Sequence, residues 1–259
     1  MTTDHHGAPC WYELTTGDLE AAQTFYADLL GWSWANAGME GFDYRLASMG
    51  GVMVAGASMG AQPGTPPNWL TYFAVTDCDA TAKAVTGAGG AVHMPPADIP
   101  GTGRFAILAD AQGASFGILQ PLPMPDDSAG GAFDQQKPGH GNWHELMTTD
   151  VKAALAFYGA MFGWAESRAM EMAPGMTYHI FARGGTDIGG MMAIAPGMPG
   201  PGGPFWLPYF GTTSVKAAMD RVKAGGGKVF NGPQEVPGGA FITVTADPQG
   251  AMAALVGPA

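Results

Sequence analysis

The apolar positions of the chain change period in a fixed order. Residues 11–16, Trp-Tyr-Glu-Leu-Thr-Thr, form a short aromatic, Leu and Thr run that predicts a strand. Asp18 then stands where a helix N-cap belongs, with Glu20 in the first turn. Ala22, Phe25, Tyr26, Leu29 and Leu30 recur at helical spacing on one face, and Gly31 stops the helix. Short strands follow at 32–36, 42–48 and 51–57, and a Gly/Pro-rich loop runs from Gly60 to Asn68. The order then repeats. A strand at 69–75 leads to a helix capped by Asp77 or Asp79, running through Val85 and ended by Gly87-Ala-Gly-Gly90. Strands near 91–94, 104–109 and 115–119 complete this second module, with a turn at Asp110 to Gly113 between the last two.

Both modules come back in the second half. Trp11-Tyr-Glu-Leu returns as Trp143-His-Glu-Leu, Phe25-Tyr26 as Phe157-Tyr158, and Gly31-Trp32 as Gly163-Trp164, all at a spacing of 132. Trp69-Leu-Thr-Tyr-Phe73 returns as Trp206-Leu-Pro-Tyr-Phe210, and Asp110-Ala-Gln-Gly-Ala114 as Asp247-Pro-Gln-Gly-Ala251, at a spacing of 137. Asp150 caps the third helix, a fourth spans 215–224, and strands near 228–230, 241–246 and 252–256 follow. Solenoid repeats run roughly 20–50 residues, so this long period means duplicated domains instead. The boundaries read as 1–122 (modules about 8–58 and 68–121), a Pro/Gly/Asp-rich linker 123–139, and 140–259 (modules about 140–195 and 205–257).

Composition narrows the class of partner. Apolar residues make up 46% of the chain, enough for two cores, while charged residues are only 13%. A net charge of −11 without a Lys/Arg cluster argues against nucleic acid and anionic membranes. No run approaches the about 18 apolar residues that would span a bilayer, and the N-terminus lacks a signal-peptide pattern, so a cytoplasmic protein is expected. Cys10 and Cys78 have no counterparts in the second half, which points away from a disulfide framework.

Four strand–helix–three-strand modules, the Trp11-x-Glu13-Leu14-x-Thr16-x-Asp18 opening and the Gly103-Arg-Phe105…Asp110-x-x-Gly113-Ala114 close carry a resemblance. The chain resembles the two-domain glyoxalase-like proteins of the glyoxalase/bleomycin-resistance/extradiol-dioxygenase, or vicinal oxygen chelate, superfamily. The resemblance implies an α+β fold of tandem domains, four βαβββ modules forming open β-cups. Metal sites in that superfamily use a His near the start of a module's first strand and a Glu in its last. Here the matching positions are Trp11, Trp143, Leu70, Leu207, Gly117 and Ala254, none of which can ligate. No cofactor is therefore expected, and a divalent metal could bind only through other ligands.

Strand alternation adds that if Trp11 faces the cup, so do Glu13 and Thr15, while Tyr12, Leu14 and Thr16 face the helix. Glu145 would stand equivalently beside Trp143 and Met147, and Tyr72 and Tyr209 would face the cup from the opposite modules. Glu13 and Glu145 are the candidate catalytic groups. Each could brace loop amides, contact a ligand or transfer a proton, or recruit a metal. Trp11, Thr15, Tyr72, Arg104, Trp143 and Tyr209 are the candidate ligand contacts, with Arg104 either clamping an anion or stabilising its turn. His5 and His6 read as a mobile terminus, His140 lies in the linker, and His144 should face away from Glu145. Trp32, Trp69, Trp164 and Trp206 read as core or cup rim.

The expected function is binding or transforming a small carbonyl, vicinal-oxygen or aromatic compound without the usual His/Glu metal site. An enzyme of this kind would be a lyase, isomerase or oxygenase; the alternative is a non-catalytic protein that sequesters an antibiotic-like molecule. The expected partner is a small molecule, and a monomer and a homodimer both remain open.

Overall fold

The computed structural model describes residues 5–60, 65–122 and 131–259. Module 1 contains β1 (Pro9–Thr16), α1 (Leu19–Leu30), β2 (Ser33–Asn36), β3 (Tyr44–Met49) and β4 (Val52–Met59). Module 2 contains β5 (Asn68–Ala74), α2 (Cys78–Gly87), β6 (Ala91–Ile99), β7 (Gly103–Ala109) and β8 (Ser115–Pro121). Module 3 repeats the order with β9 (Gly141–Thr148), α3 (Val151–Phe162), β10 (Ala165–Ala173), β11 (Met176–Arg183) and β12 (Thr186–Ala193). Module 4 contains β13 (Phe205–Gly211), α4 (Val215–Ala224), β14 (Lys228–Val229), β15 (Gln234–Glu235), β16 (Phe241–Ala246) and β17 (Met252–Gly257). The pair β15, which β16 carries, is the one element the sequence pattern does not predict.

The helices start where their caps say they should. Asp18, Asp77, Asp150 and Ser214 accept from the backbone N–H of Ala21, Ala80, Ala153 and Ala217. Asp77, rather than Asp79, is thus the cap of α2. Gly31 and Gly163 end α1 and α3 at φ 75° and 70°, a left-handed conformation suited to a residue without Cβ. Within module 1 the strand order is β2-β3-β4-β1, and within module 2 it is β5-β8-β7-β6. In each, the first strand runs parallel to the last and the other pairings are antiparallel. Modules 3 and 4 repeat these ladders, and among the described residues no sheet closes on itself.

By packing, the chain sorts into two compact units that interleave its halves. One gathers the described residues of 1–10, 71–130 and 144–206, hence modules 2 and 3; the other gathers those of 11–70, 131–143 and 207–259, hence modules 1 and 4. The core of the module 1–4 unit is aromatic. Tyr26 stacks on Trp32 at 5.7 Å between ring centroids, and Trp69 and Phe210 meet edge-on at 5.1 Å. Its hydroxyl chemistry ties the elements together: the Trp69 indole N–H donates to Tyr26 (2.9 Å), whose hydroxyl donates to Asp247 (3.1 Å). The other Asp247 oxygen accepts from the amides of Gln249, Gly250 and Ala251, which shapes the β16–β17 turn. Burial raises the Asp247 pKa and these hydrogen bonds oppose the rise.

The module 2–3 unit repeats the arrangement. Trp206 donates to Tyr158 (3.0 Å), and Tyr158 donates to Asp110 (3.0 Å), whose other oxygen takes the amides of Gln112 and Ala114. Phe73, Phe116, Phe162, Trp164 and Phe181 surround it. Trp32, Trp69, Trp164 and Trp206, between 2% and 5% exposed, are therefore core and not rim.

Two further expectations change. His6 is anchored and not part of a mobile terminus. Its ring meets the carbonyl of Met161 (2.9 Å) and the amide of Thr76 (3.3 Å), and Arg183 donates to its carbonyl (2.7 Å). These bonds satisfy a strand entrance that Gly7 and Ala74 pair across. Within the predicted linker, residues 123–130 lie outside the described residues, whereas 131–139 pack into the module 1–4 unit. Ala132 is 1% exposed, Trp32 donates to Gly139 O (2.7 Å), and Gly139 N donates to Gly211 O (2.8 Å). Cys10 and Cys78 are both free thiols, and burial pushes Cys78 up to about 11.

Two outcomes follow. Tyr158→Phe removes a buried donor and leaves the Trp206 N–H and Asp110 without their partner, so urea unfolding should show a loss of about 1–3 kcal/mol. His144 is fully buried, with its ring Nδ1 2.9 Å from Ile188 O, and burial lowers its pKa to about 4. The unfolded chain takes up this proton near the ordinary value while the folded chain resists it. The contribution is present above about pH 6.5 and is lost as pH falls toward 4. Between pH 7 and pH 5, urea midpoints should report a loss of about 2 kcal/mol. His144→Leu should flatten that slope, whereas carboxylates with raised pKa such as Asp247 act in the opposite direction.

Candidate functional site

Strand β1 has one dry face and one open face. Tyr12, Leu14 and Thr16 are buried, whereas Trp11, Glu13 and Thr15 are half-buried, the alternation expected of a strand covered by a helix on one side only. The parallel neighbour β4 places Gly56 beside Glu13 and Ser58 beside Thr15. The next strand, β3, sets Tyr44 opposite Ser58. Tyr44 leans over Gly56: a Cβ there would lie 2.0 Å from the phenol oxygen. That missing side chain lets the ring reach the carboxylate.

The result is a three-residue relay on the open face. The Trp11 indole N–H donates to the Tyr44 hydroxyl (3.0 Å), and Tyr44 donates to Glu13 Oε2 (3.1 Å). Burial, followed by the neighbouring Glu13 charge, pushes the Tyr44 phenol well above its ordinary value. The phenol therefore stays protonated and holds the carboxylate by a charge-assisted hydrogen bond. Trp11 and Glu13, both expected from the sequence, are brought together. Tyr44 and Gly56 were not expected, because a contact across strands needs the ladder register. A signal existed: Tyr44 and Gly56 recur as Tyr178 and Gly190, at one common spacing of 134.

Module 3 builds the same frame. Gly190 pairs with Glu145, and a Cβ at Gly190 would lie 2.2 Å from the Tyr178 ring. The surroundings are drier, since Glu145 is 6% and Met147 8% exposed, while Trp143 is half-buried as Trp11 is. His144 points the other way, as alternation requires, into contact with Phe73.

Tyr72 and Tyr209 are each 3% exposed. Tyr72 pairs with Gly117 in the β5–β8 ladder, and its ring occupies the space over that glycine, 2.2 Å from where a Cβ would stand. Tyr209 pairs with Ala254 in the same way. Arg104 lies on β7 on the face of the buried Ala106 and Leu108, and forks onto Asp79 at the start of α2 (2.6 and 3.0 Å) and onto Asp98 (2.9 Å). Its guanidinium already clamps two carboxylates of this chain.

The superfamily's metal set does not fit these residues. Its His and Glu positions carry Trp, Leu, Gly and Ala, and the Tyr72 ring fills the place of the Glu at Gly117. Among the described residues no three His, Cys, Asp or Glu side chains gather as metal ligands would. What the relay offers instead is an oriented carboxylate beside two aromatic rings, able to accept a hydrogen bond or a proton from a small molecule.

Comparison with known proteins agrees with this architecture. The model of the Glyoxalase/Bleomycin resistance protein/Dioxygenase superfamily matches residues 8–118 and again 140–255. The chain is 36% identical to CFP32 of Mycobacterium tuberculosis, provisionally named a glyoxylase, over 98% of this chain and 95% of that protein. It is 33% identical to the anthracycline biosynthesis protein DnrV of Streptomyces peucetius, over 97% and 93%. Its fold matches 2,2',3-trihydroxybiphenyl 1,2-dioxygenase from Sphingomonas wittichii with a TM-score of 0.66 at 16% identity, covering 97% of this chain and 90% of the dioxygenase. A repeated module, a repeated opening motif and a twofold family match together make this chain a member of the Glyoxalase/Bleomycin resistance protein/Dioxygenase superfamily.

Proposed function

We propose that the protein takes up a small carbonyl, vicinal-oxygen or aromatic compound on the open face of β1 and transforms it without the superfamily's His/Glu metal set. The observation that carries this reading is the Trp11–Tyr44–Glu13 relay, a carboxylate fixed by a phenol on an otherwise aromatic face. Glu13 is the group that meets the substrate, accepting a hydroxyl or carbon-bound proton; Tyr44 holds it; Trp11 and Thr15 line the face. Glu145 with Trp143 is the second copy, and Tyr72 and Tyr209 belong to the modules that follow. Arg104 keeps its place as a clamp on α2. The relative DnrV, named for anthracycline biosynthesis, supports an oxygenated aromatic compound as the substrate class. The protein acts on soluble small molecules, as a monomer or homodimer; no helix among the described residues is long and apolar enough to cross a membrane.

A second reading has its own observation. Positions 11, 70 and 117 and their repeats lack metal donors, as suits a protein that sequesters its ligand unchanged. Incubation with 1,8-dihydroxyanthraquinone and with dihydroxyacetone, followed by mass spectrometry, separates the two, since transformation gives a new mass and sequestration returns the compound.

Glu13→Gln should weaken binding at least about tenfold and abolish any turnover, with a melting temperature within about 3 °C of the parent. Unaltered binding by a stable Glu13→Gln variant would remove Glu13 from the site.

A further inference from the structure

Beyond the drier setting of Glu145, the two copies of the site differ in how the two strands after the helix are joined. In module 3, β10 ends at Ala173 and β11 begins at Met176, so only Pro174 and Gly175 form the turn. In module 1, β2 ends at Asn36 and β3 begins at Tyr44, so residues 37–43 form a loop instead. Module 3 has the longer segment between its Trp164 and Tyr178 and folds it into strand, whereas module 1 leaves its shorter segment as a loop, and loops on a fixed frame are where ligand contacts concentrate. This one is pinned at its base. Ala37 N donates to Tyr44 O (2.8 Å), Gly38 N to Asn36 Oδ1 (2.7 Å), and Asn36 Nδ2 to Asp43 Oδ1 (3.1 Å). Arg45 forks onto Asp43 (2.5 and 2.9 Å), and Gly38 and Gly41 take left-handed φ values of 71° and 73°.

At its end the loop displays Phe42. The side chain is 47% exposed, and among the described residues it is the only aromatic one in the exposed large hydrophobic set. It is not loose: its ring lies nearly parallel to Tyr44, at 22° with 6.0 Å between centroids. Met39 on the same loop and Met59 at the end of β4 are 42% and 47% exposed. The position equivalent to Phe42, two residues before the tyrosine, is Met176 in module 3. Charge completes the description. Asp43 and Arg45 pair with each other, while Glu40 is exposed on the loop and Glu13 is held by Tyr44 at its base.

We propose that Phe42 and Tyr44 form a stacking platform that selects a flat aromatic ligand, neutral or positively charged, for the module 1 site. This rests on the reading that Glu13 meets the ligand and narrows that ligand's class. Phe42 lies against Tyr44, whose hydroxyl holds Glu13, so a ring stacked on this pair is brought toward the carboxylate. The acidic rim disfavours anions. Module 3, with a tight turn and Met176 in place of Phe42, lacks the platform.

The test is a titration of the full chain followed by tryptophan fluorescence and calorimetry. The flat probe is 1,8-dihydroxyanthraquinone and the small non-aromatic probe is dihydroxyacetone. The expected result is that Phe42→Ala weakens the anthraquinone about 5–10-fold, Phe42→Trp restores it, and neither changes dihydroxyacetone affinity. Glu13→Gln should weaken both probes. Phe42 is exposed, so its variants should keep the parent melting temperature, which is measured alongside. Unchanged anthraquinone affinity in Phe42→Ala, or an equal loss for both probes, overturns the platform while leaving the Glu13 reading in place. If the parent binds neither probe, or Glu13→Gln weakens neither, the underlying reading falls and the platform with it.

Discussion

The structure depends on one kind of buried hydrogen-bond chain, indole to phenol to carboxylate. Tyr26 and Tyr158 sit at the centre of the two compact units, each receiving from a tryptophan and giving to an aspartate that holds a hairpin turn. The phenol is satisfied as both donor and acceptor, so it can be buried at little cost, and neither the Asp nor the Trp is left bare. Each bond chain draws its three residues from distant stretches of sequence within one compact unit, so it fixes long-range packing and not only one turn. Packing rings around it then excludes water, which strengthens every bond in it.

The open face of β1 carries the same sequence of groups, from Trp11 to Tyr44 to Glu13. What differs is the surroundings. In the cores the carboxylate also binds turn amides and is wrapped in aromatic side chains; on β1 the residues are half-buried and face outward from the helix layer. One chemical arrangement therefore serves as a structural knot in two places and as an oriented, half-buried carboxylate in a third. The family relationship supplies the fold, and these particular residues supply what this chain can do with it.

Much of this was legible from residues alone. Helix starts at Asp18 and Asp150, stops at Gly31 and Gly163, and the alternation along β1 are local properties, and the duplication states each twice. The choice between Asp77 and Asp79 was not legible, because both spacings suit a cap; Arg104, distant in sequence, takes Asp79. Tyr44 escaped notice for a related reason. Its partnership with Glu13 crosses two ladder steps and needs the empty position at Gly56, which no single strand pattern reveals. The anchoring of His6 likewise comes from groups as distant as Met161 and Arg183.

The interleaving of the halves has a further consequence. Each compact unit draws one module from the first repeat and one from the second. A substitution in either repeat therefore meets side chains that the other repeat supplies. Buried positions such as Phe116 and Ala82 have changed, to Ala253 and Met219, and the loop at 37–43 against the turn at 174–175 shows divergence at the surface as well. One repeat on its own therefore carries only half of each core, and completing either core takes a second copy of the module that the other repeat supplies.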